Sequence, residues 1–334
     1  HMHCVFVERN RQYAENLRSV LAAEASTGLA YNVLTGDVQN RLDEALAIAG
    51  AAPLFAFLDP FGTALPYGEL QGKLLGRGKS LKTEVLLNLN VQMVSRIGGY
   101  LTGEETDDEQ TSSGRSATLA RMDEFLGGTW WQDEFREARL SDNEGSAASA
   151  AMHVVEAFRD RVREDSGYAS FPVPIRRRPG HSPLFIMLLF YRHPAAPYLF
   201  NEATSKANAD WRNHLRDIEL AEILKAQEYK PTLFDSVEEG YTARYSQEQE
   251  KQAEARLETE WIDVISDNIR RLIAGNAAIP IAEQIADIHG TTLGLAREKH
   301  FTRAWDRLAE EKVVDPRDKG QKPRNQTIRR VWNR

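Results

Sequence analysis

In the opening third of the chain, short apolar runs alternate with amphipathic stretches. Residues 5–8 read as a strand, and 13–25 as a helix with Leu17, Val20 and Leu21 on one face. A strand over 30–34 closes in Gly36-Asp37, and a helix over 38–49 aligns Leu42, Leu46 and Ala49. The apolar strand 54–58 ends in Asp59-Pro60-Phe61-Gly62; a helix over 68–75 and a strand over 84–89 follow. Uninterrupted apolar strands are those covered by helices on both faces, and strand–helix alternation builds a parallel sheet. The expected fold class is therefore α/β, with an open, mainly parallel sheet.

Farther along, the acidic, Ser/Thr-rich stretch 103–116 lacks periodicity and reads as a surface loop. Helices are expected over 117–125 and 147–162, and strands over 170–177 and 184–191. Pro179-Gly180 between those strands is a turn signal, which makes them an antiparallel hairpin. Residues 238–275 are charged and poor in breakers, and read as a long helix. A short helix over 280–288, a turn at Gly290 and a helix over 296–311 come next, with Val313-Val314 and 327–332 pairing as a small wing. The division expected is an α/β domain with a helical insert over 3–235, a helical linker over 236–275 and a winged-helix-like domain over 276–334.

A chain of 334 residues exceeds what one core usually supports, and a hydrophobic fraction of 42% is ample for burial. The longest apolar runs, such as 183–191, are too short to cross a bilayer, and no charged-apolar-small leader opens the chain. The single cysteine, Cys4, excludes an internal disulfide and a multi-cysteine metal cluster. The eight histidines show no zinc-type spacing, so no metal is expected. Together these predict a cytoplasmic protein that does not engage a membrane.

A net charge of −7 argues against polyanion binding by the whole surface, but the sign reverses locally. The tail from residue 319 onward carries Lys319, Lys322, Arg324, Arg329, Arg330 and Arg334 and no acid. Ile281, Ile285 and Ile288 form the apolar face of the first short helix, and Phe301, Trp305 and Leu308 that of the second. Opposite them stand Arg297, Lys299, Arg303 and Arg307. With Lys319, Lys322 and Arg324 in the wing, this is the pattern by which a helix-turn-helix contacts the phosphates of DNA or RNA. Winged helices also dock proteins, and that alternative stays open.

Three acids, Glu8, Asp37 and Asp59, stand at or just past the ends of expected parallel strands, where open α/β sheets bind ligands. Glu8 suits a ribose, Asp37 an adenine amino group, and Asp59 with Pro60 and Phe61 the wall of a reacting centre. Arg176-Arg177-Arg178 is either a phosphate contact or an exposed turn. Arg192-His193-Pro194 reads as the polar end of a strand, and Trp130-Trp131 and Trp211 as core or interface aromatics.

The stretch Phe55-Ala56-Phe57-Leu58-Asp59-Pro60-Phe61-Gly62 resembles the hallmark of the three-Cys-motif partner family. His3-Cys4-Val5-Phe6-Val7-Glu8-Arg9-Asn10 resembles an earlier segment of that family, and residues 184–194, ending in Arg192-His193-Pro194, a later one. The blocks occur in the family's order, over roughly residues 3–212. The resemblance implies a class I methyltransferase-like, Rossmann-like fold, binding of S-adenosylmethionine, and a separate partner protein that carries the three cysteines. On that basis Glu8 and Asp37 are the cofactor-binding residues, Asp59, Pro60 and Phe61 the catalytic ones, and the expected function is methyl transfer on or near nucleic acid. A catalytically inactive adaptor for nucleic acid or protein is the alternative. The family's upstream strand and glycine-rich loop, resembling Phe-Ala-Gly-Pro-Gly, has no counterpart in these residues. Upstream residues beyond those given, or loss of cofactor binding, would each explain that.

Overall fold

The computed structural model describes residues 2–25, 28–59, 63–78, 80–102, 109–141, 146–178, 180–228 and 235–331. The chain divides into two compact units, His1–Arg192 and His193–Arg334.

The first unit runs β1 (His3–Glu8), α1 (Arg11–Glu24), β2 (Ala30–Thr35), α2 (Val38–Ala49), β3 (Leu54–Leu58), and α3 (Tyr67–Glu69), which continues as a π-helical turn over Leu70–Leu75. Then come β4 (Thr83–Asn90), α4 (Val91–Gly98), α5 (Glu109–Leu126), α6 (Trp130–Ser141), α7 (Ala147–Ser166), β5 (Ala169–Ile175) and β6 (Phe185–Tyr191). Side-chain caps start three of the helices. Asn10 accepts from the Gln12 and Tyr13 N–H groups, Asn90 from Met93, and Ser146 from Ser149. Gly167, at φ +71, ends α7 in the left-handed conformation that glycine adopts at least cost.

The fold is α/β with a mixed sheet. β3 pairs parallel with β4, and β6 lies antiparallel between β4 and β5, in the order β3-β4-β6-β5. β5 therefore points the same way as β3 and β4. The hairpin expected around Pro179-Gly180 is present as β5 and β6. β1 and β2 pair parallel with each other in a separate ladder, so the continuous open sheet expected from the alternation is divided in two. The reason is that, among the described residues, no strand bonds to both β1 and β3. β4 and β6 contribute Val85, Leu87, Leu89, Ile186, Leu188 and Phe190 to one core with α6 and α7. At its centre Phe158 meets Tyr67 and Phe190 edge-on and stacks on Phe125. Each such fully buried side chain stabilises by about 1.5–3 kcal/mol relative to exposure.

Two sequence expectations change in this unit. Glu109–Leu126 is helical, so residues 109–116 of the loop expected over 103–116 are helix; 103–108 lie outside the described residues. Trp130–Ser141 is a helix that the periodicity of the surrounding charges hid.

The second unit runs α8 (Ala195–Glu228), α9 (Asp235–Gly275), β7 (Ala278–Pro280), α10 (Ile285–His289), α11 (Glu298–Glu310) and β8 (Thr327–Arg329). Trp261, Ile265, Ile269 and Ile273 recur one turn apart along α9 and meet Ile285, Ile288, Phe301, Trp305 and Leu308 in a second core. Residues 257–273 of the expected linker are thus a wall of this core. The unit boundary also falls at Arg192 rather than 235, because Tyr198 of α8 is part of the same core.

The expected pairing of Val313-Val314 with 327–332 is present as an antiparallel bridge between Val314 and Arg330, with the Asp315 N–H donating to the Arg329 carbonyl and the Val331 N–H to the Val313 carbonyl. β8 also forms a ladder with β7, which the sequence did not suggest. Ile279 and Ile328 are both fully buried, so pairing β7 with β8 turns both toward the core. That ladder takes residue 280 out of the expected helix, which is confined to Ile285–His289. Gly290 turns at φ +54, and Trp332 lies outside the described residues. No helix among the described residues is long and apolar enough to cross a membrane.

Candidate functional site

Two places in the molecule gather the residues singled out by the sequence, one in each unit. In the first, parallel pairing sets Glu8 opposite Thr35, and the Gly36 N–H donates to the Glu8 carbonyl at 3.0 Å. Gly36 sits at φ +143, and Asp37 follows as the residue preceding α2. Glu8 and Asp37 therefore share the carboxyl end of one ladder. The Glu8 Oε1 accepts from the Asn10 N–H at 2.6 Å, and Arg9 Nε stands 3.9 Å from Asp37 Oδ1.

Asp59 ends β3 in the other ladder, where its Oδ1 accepts from Asn88 Nδ2 at 2.8 Å. The structure thus joins two of the three acids and sets the third on a separate sheet. Pro60 and Phe61 lie outside the described residues. Arg192 lies over the Tyr168 ring at 4.2 Å and donates to the Ser166 carbonyl, while His193 Nδ1 accepts from the Ala195 N–H. These are strand-end contacts of the kind expected for that cluster. Trp131 is fully buried and donates to Asp123, whereas Trp211 is half-exposed.

In the second unit the site grows from one face of α8. Asn201 accepts from the Gly294 N–H at 2.6 Å and donates to the Ala296 carbonyl, and Asn208 donates to the Gly294 carbonyl. With Gly294 at φ +77, these bonds fix the approach to α11. Glu202 then meets the first turn of α11. Its Oε1 accepts from Arg297 Nε and Nη2 at 3.1 and 3.0 Å, and its Oε2 from the Glu298 N–H at 2.9 Å. A carboxylate there is favoured by the free N–H groups and the helix dipole. Tyr198 donates to Glu298, and burial followed by that contact pushes its phenol well above the usual range.

Beyond this turn lies a cavity of about 680 Å³, walled by Arg297, Lys299 and Thr302 on one side and by Arg317, Lys319 and Lys322 on the other, with the carboxylates of Glu202 and Glu298 also in its lining. The second wall is held by Gln326. It accepts from the Asp318 N–H and donates to the Asp318 and Gln321 carbonyls. Arg317 is bound to Asp306, but Lys319 and Lys322 are exposed and make no ion pair with a described residue.

The cations expected to form a free outer face of α11 are instead engaged by acids. Arg297 pairs with Glu202, Lys299 and Arg303 with Glu258, and Arg307 with Asp263 at 2.7 Å. Burial pushes the Glu258 carboxyl up, yet the adjacent Lys299 and His300 outweigh it and hold it below the usual range. Arg324 belongs to the short 3-10 turn Pro323–Asn325 next to the second wall. Sequence reasoning missed Glu202, Thr302 and Arg317 as cavity residues. The Asp318-Lys319-Gly320-Gln321 turn was the signal that could have marked the loop.

Comparison of the chain with protein-family models, with curated proteins and with solved structures finds no match in any of the three.

Proposed function

We propose that the chain is a nucleic-acid-binding adaptor of the methyltransferase-like, three-Cys-motif-partner kind, with a Rossmann-like first unit and a winged-helix-like second unit. The observation that carries this reading is the cavity between α11 and the loop 317–323, where Lys319 and Lys322 have no carboxylate partner among the described residues. Unpaired ammonium groups on a loop beside the start of a helix suit the phosphates of DNA or RNA, which supply most of the affinity in such contacts. The separate three-cysteine protein is the proposed partner of the first unit, and the cytoplasm the proposed compartment.

Fluorescence anisotropy with a duplex DNA and a single-stranded RNA, repeated across salt concentrations, tests this. Lys319→Ala with Lys322→Ala is expected to weaken binding to either. It should also reduce the slope of log K against log salt by roughly 1.5–2 for a duplex, since each phosphate contact contributes about 0.9. Arg303→Ala with Arg307→Ala is expected to move binding less, because those charges are spent on Glu258 and Asp263. Binding and slope untouched by the lysine pair would remove the reading.

One observation favours a second reading, S-adenosylmethionine-dependent methyl transfer. Glu8 and Asp37 stand together at the carboxyl end of adjacent parallel strands, where ribose and adenine are commonly held. In that account Asp59, Pro60 and Phe61 line the transfer site. The division between the two ladders weighs toward the adaptor, because a shared crevice needs Asp59 beside the other two acids. Calorimetric titration with S-adenosylmethionine decides it: no heat of binding ends the enzyme reading.

A further inference from the structure

The hairpin of the first unit carries a second basic feature that the adaptor reading does not use. Pairing sets Asn90, Phe185 and Ile175 in one row across β4, β6 and β5. The chain between β5 and β6 projects from that row. It is pinned by the Leu184 N–H donating to the Ile175 carbonyl and the His181 N–H donating to the Arg178 carbonyl, with Gly180 at φ +80. The first turn of α4 is fastened to the same hairpin, because the Val91 N–H donates to the Leu184 carbonyl at 3.0 Å. Gln92 is thereby held opposite the turn.

Between them is a cavity of about 260 Å³ lined by Gln92, Arg177, His181, Ser182 and Leu184. Its four polar side chains can all donate hydrogen bonds, and none is a carboxylate. Arg176 and Arg178 flank Arg177 in sequence, and none of the three makes an ion pair with a described residue. The cavity lies beyond the carboxyl ends of β4 and β5, the edge where α/β sheets take ligands, and Asp59 ends β3 at the same edge.

From this geometry we infer that the β5–β6 turn is a phosphate-binding site, taking the phosphate of a nucleotide or of a nucleic-acid strand. Arg177 supplies the planar pair of N–H donors that matches phosphate oxygens, and Gln92, His181 and Ser182 supply the neighbouring donors. The site lies in the first unit and does not rest on the cavity of the second.

The test uses the full chain with Lys319→Ala and Lys322→Ala in place, so that the other cavity contributes least. Inorganic phosphate, adenosine monophosphate and a short single-stranded oligonucleotide are titrated in turn, following the side-chain NMR signals of Arg177 and His181. Saturable shifts are expected. Arg177→Gln should raise the Kd by ~10-fold or more, and Arg177→Lys by less, as expected for loss of a charge-assisted hydrogen bond. Shifts with all three probes identify the phosphate group alone as sufficient, and shifts with the oligonucleotide only identify a strand; both sustain the site. No shift at His181 with any probe, or a Kd unmoved by Arg177→Gln, overturns it.

Discussion

His289 is fully buried in the second core, its Nδ1 has no hydrogen-bond partner, and burial pushes its pKa down from 6.5 to about 3. The unfolded chain therefore binds a proton at this residue over a range where the folded chain does not. Stability from the neutral ring is complete above pH 6.5 and is lost progressively as pH falls toward 3. At pH 4.5 the loss amounts to about 3 kcal/mol, from 1.36 kcal/mol per unit. His289→Leu is expected to flatten the fall in stability between pH 7 and pH 4.5, measured by urea unfolding at both. An unchanged fall would place the acid sensitivity elsewhere. The neighbouring His300 is oriented by its contacts: Nδ1 accepts from the Arg297 N–H at 2.8 Å, and Nε2 lies 3.3 Å from Glu258. Neither histidine was singled out by the sequence, because burial of an imidazole leaves no mark in local periodicity. The placement of Glu8 and Asp37 at strand ends was legible, since Glu8 closes one short strand and Asp37 lies just past another, and their parallel pairing was itself predictable.

Among the elements, helix-to-helix approach shows where local reading stops. A Cβ at Gly98, the last residue of α4, would stand 2.4 Å from the Phe135 ring of α6, and that ring is fully buried. Gly98→Ala is therefore expected to destabilise the protein by about 1–3 kcal/mol, the usual range for overpacking. A shift in the urea midpoint checks it, and an unchanged midpoint would mean that the two helices do not approach so closely. The ring that Gly98 accommodates belongs to α6, a helix that the sequence reading did not include. In α6 only Trp131, Phe135 and Ala138 are buried, and the intervening charges mask so sparse a stripe. β3 and α2, in contrast, were read to the residue, because an apolar run and a regular helical stripe are complete within a dozen positions.

At the scale of the molecule, two cores organise the chain. The strand–helix alternation was enough to predict α/β architecture, and the isoleucines and aromatics of 281–308 were enough to predict a second core. Such patterns are local: backbone geometry repeats every two or 3.6 residues, and burial follows the repeat. What could not be read was which distant segment each edge or charge would meet. β8 takes β7 as a second neighbour beside the Val313-Val314 segment, β1 and β3 share no ladder, and the cations of α11 find acids some forty positions away on α9. Hydrogen bonds and ion pairs act over a few ångströms, so their partners are chosen by how the packed helices bring remote residues within reach. That selection leaves Lys319, Lys322 and Arg177 unpaired among the described residues, and with them the charges available for a ligand.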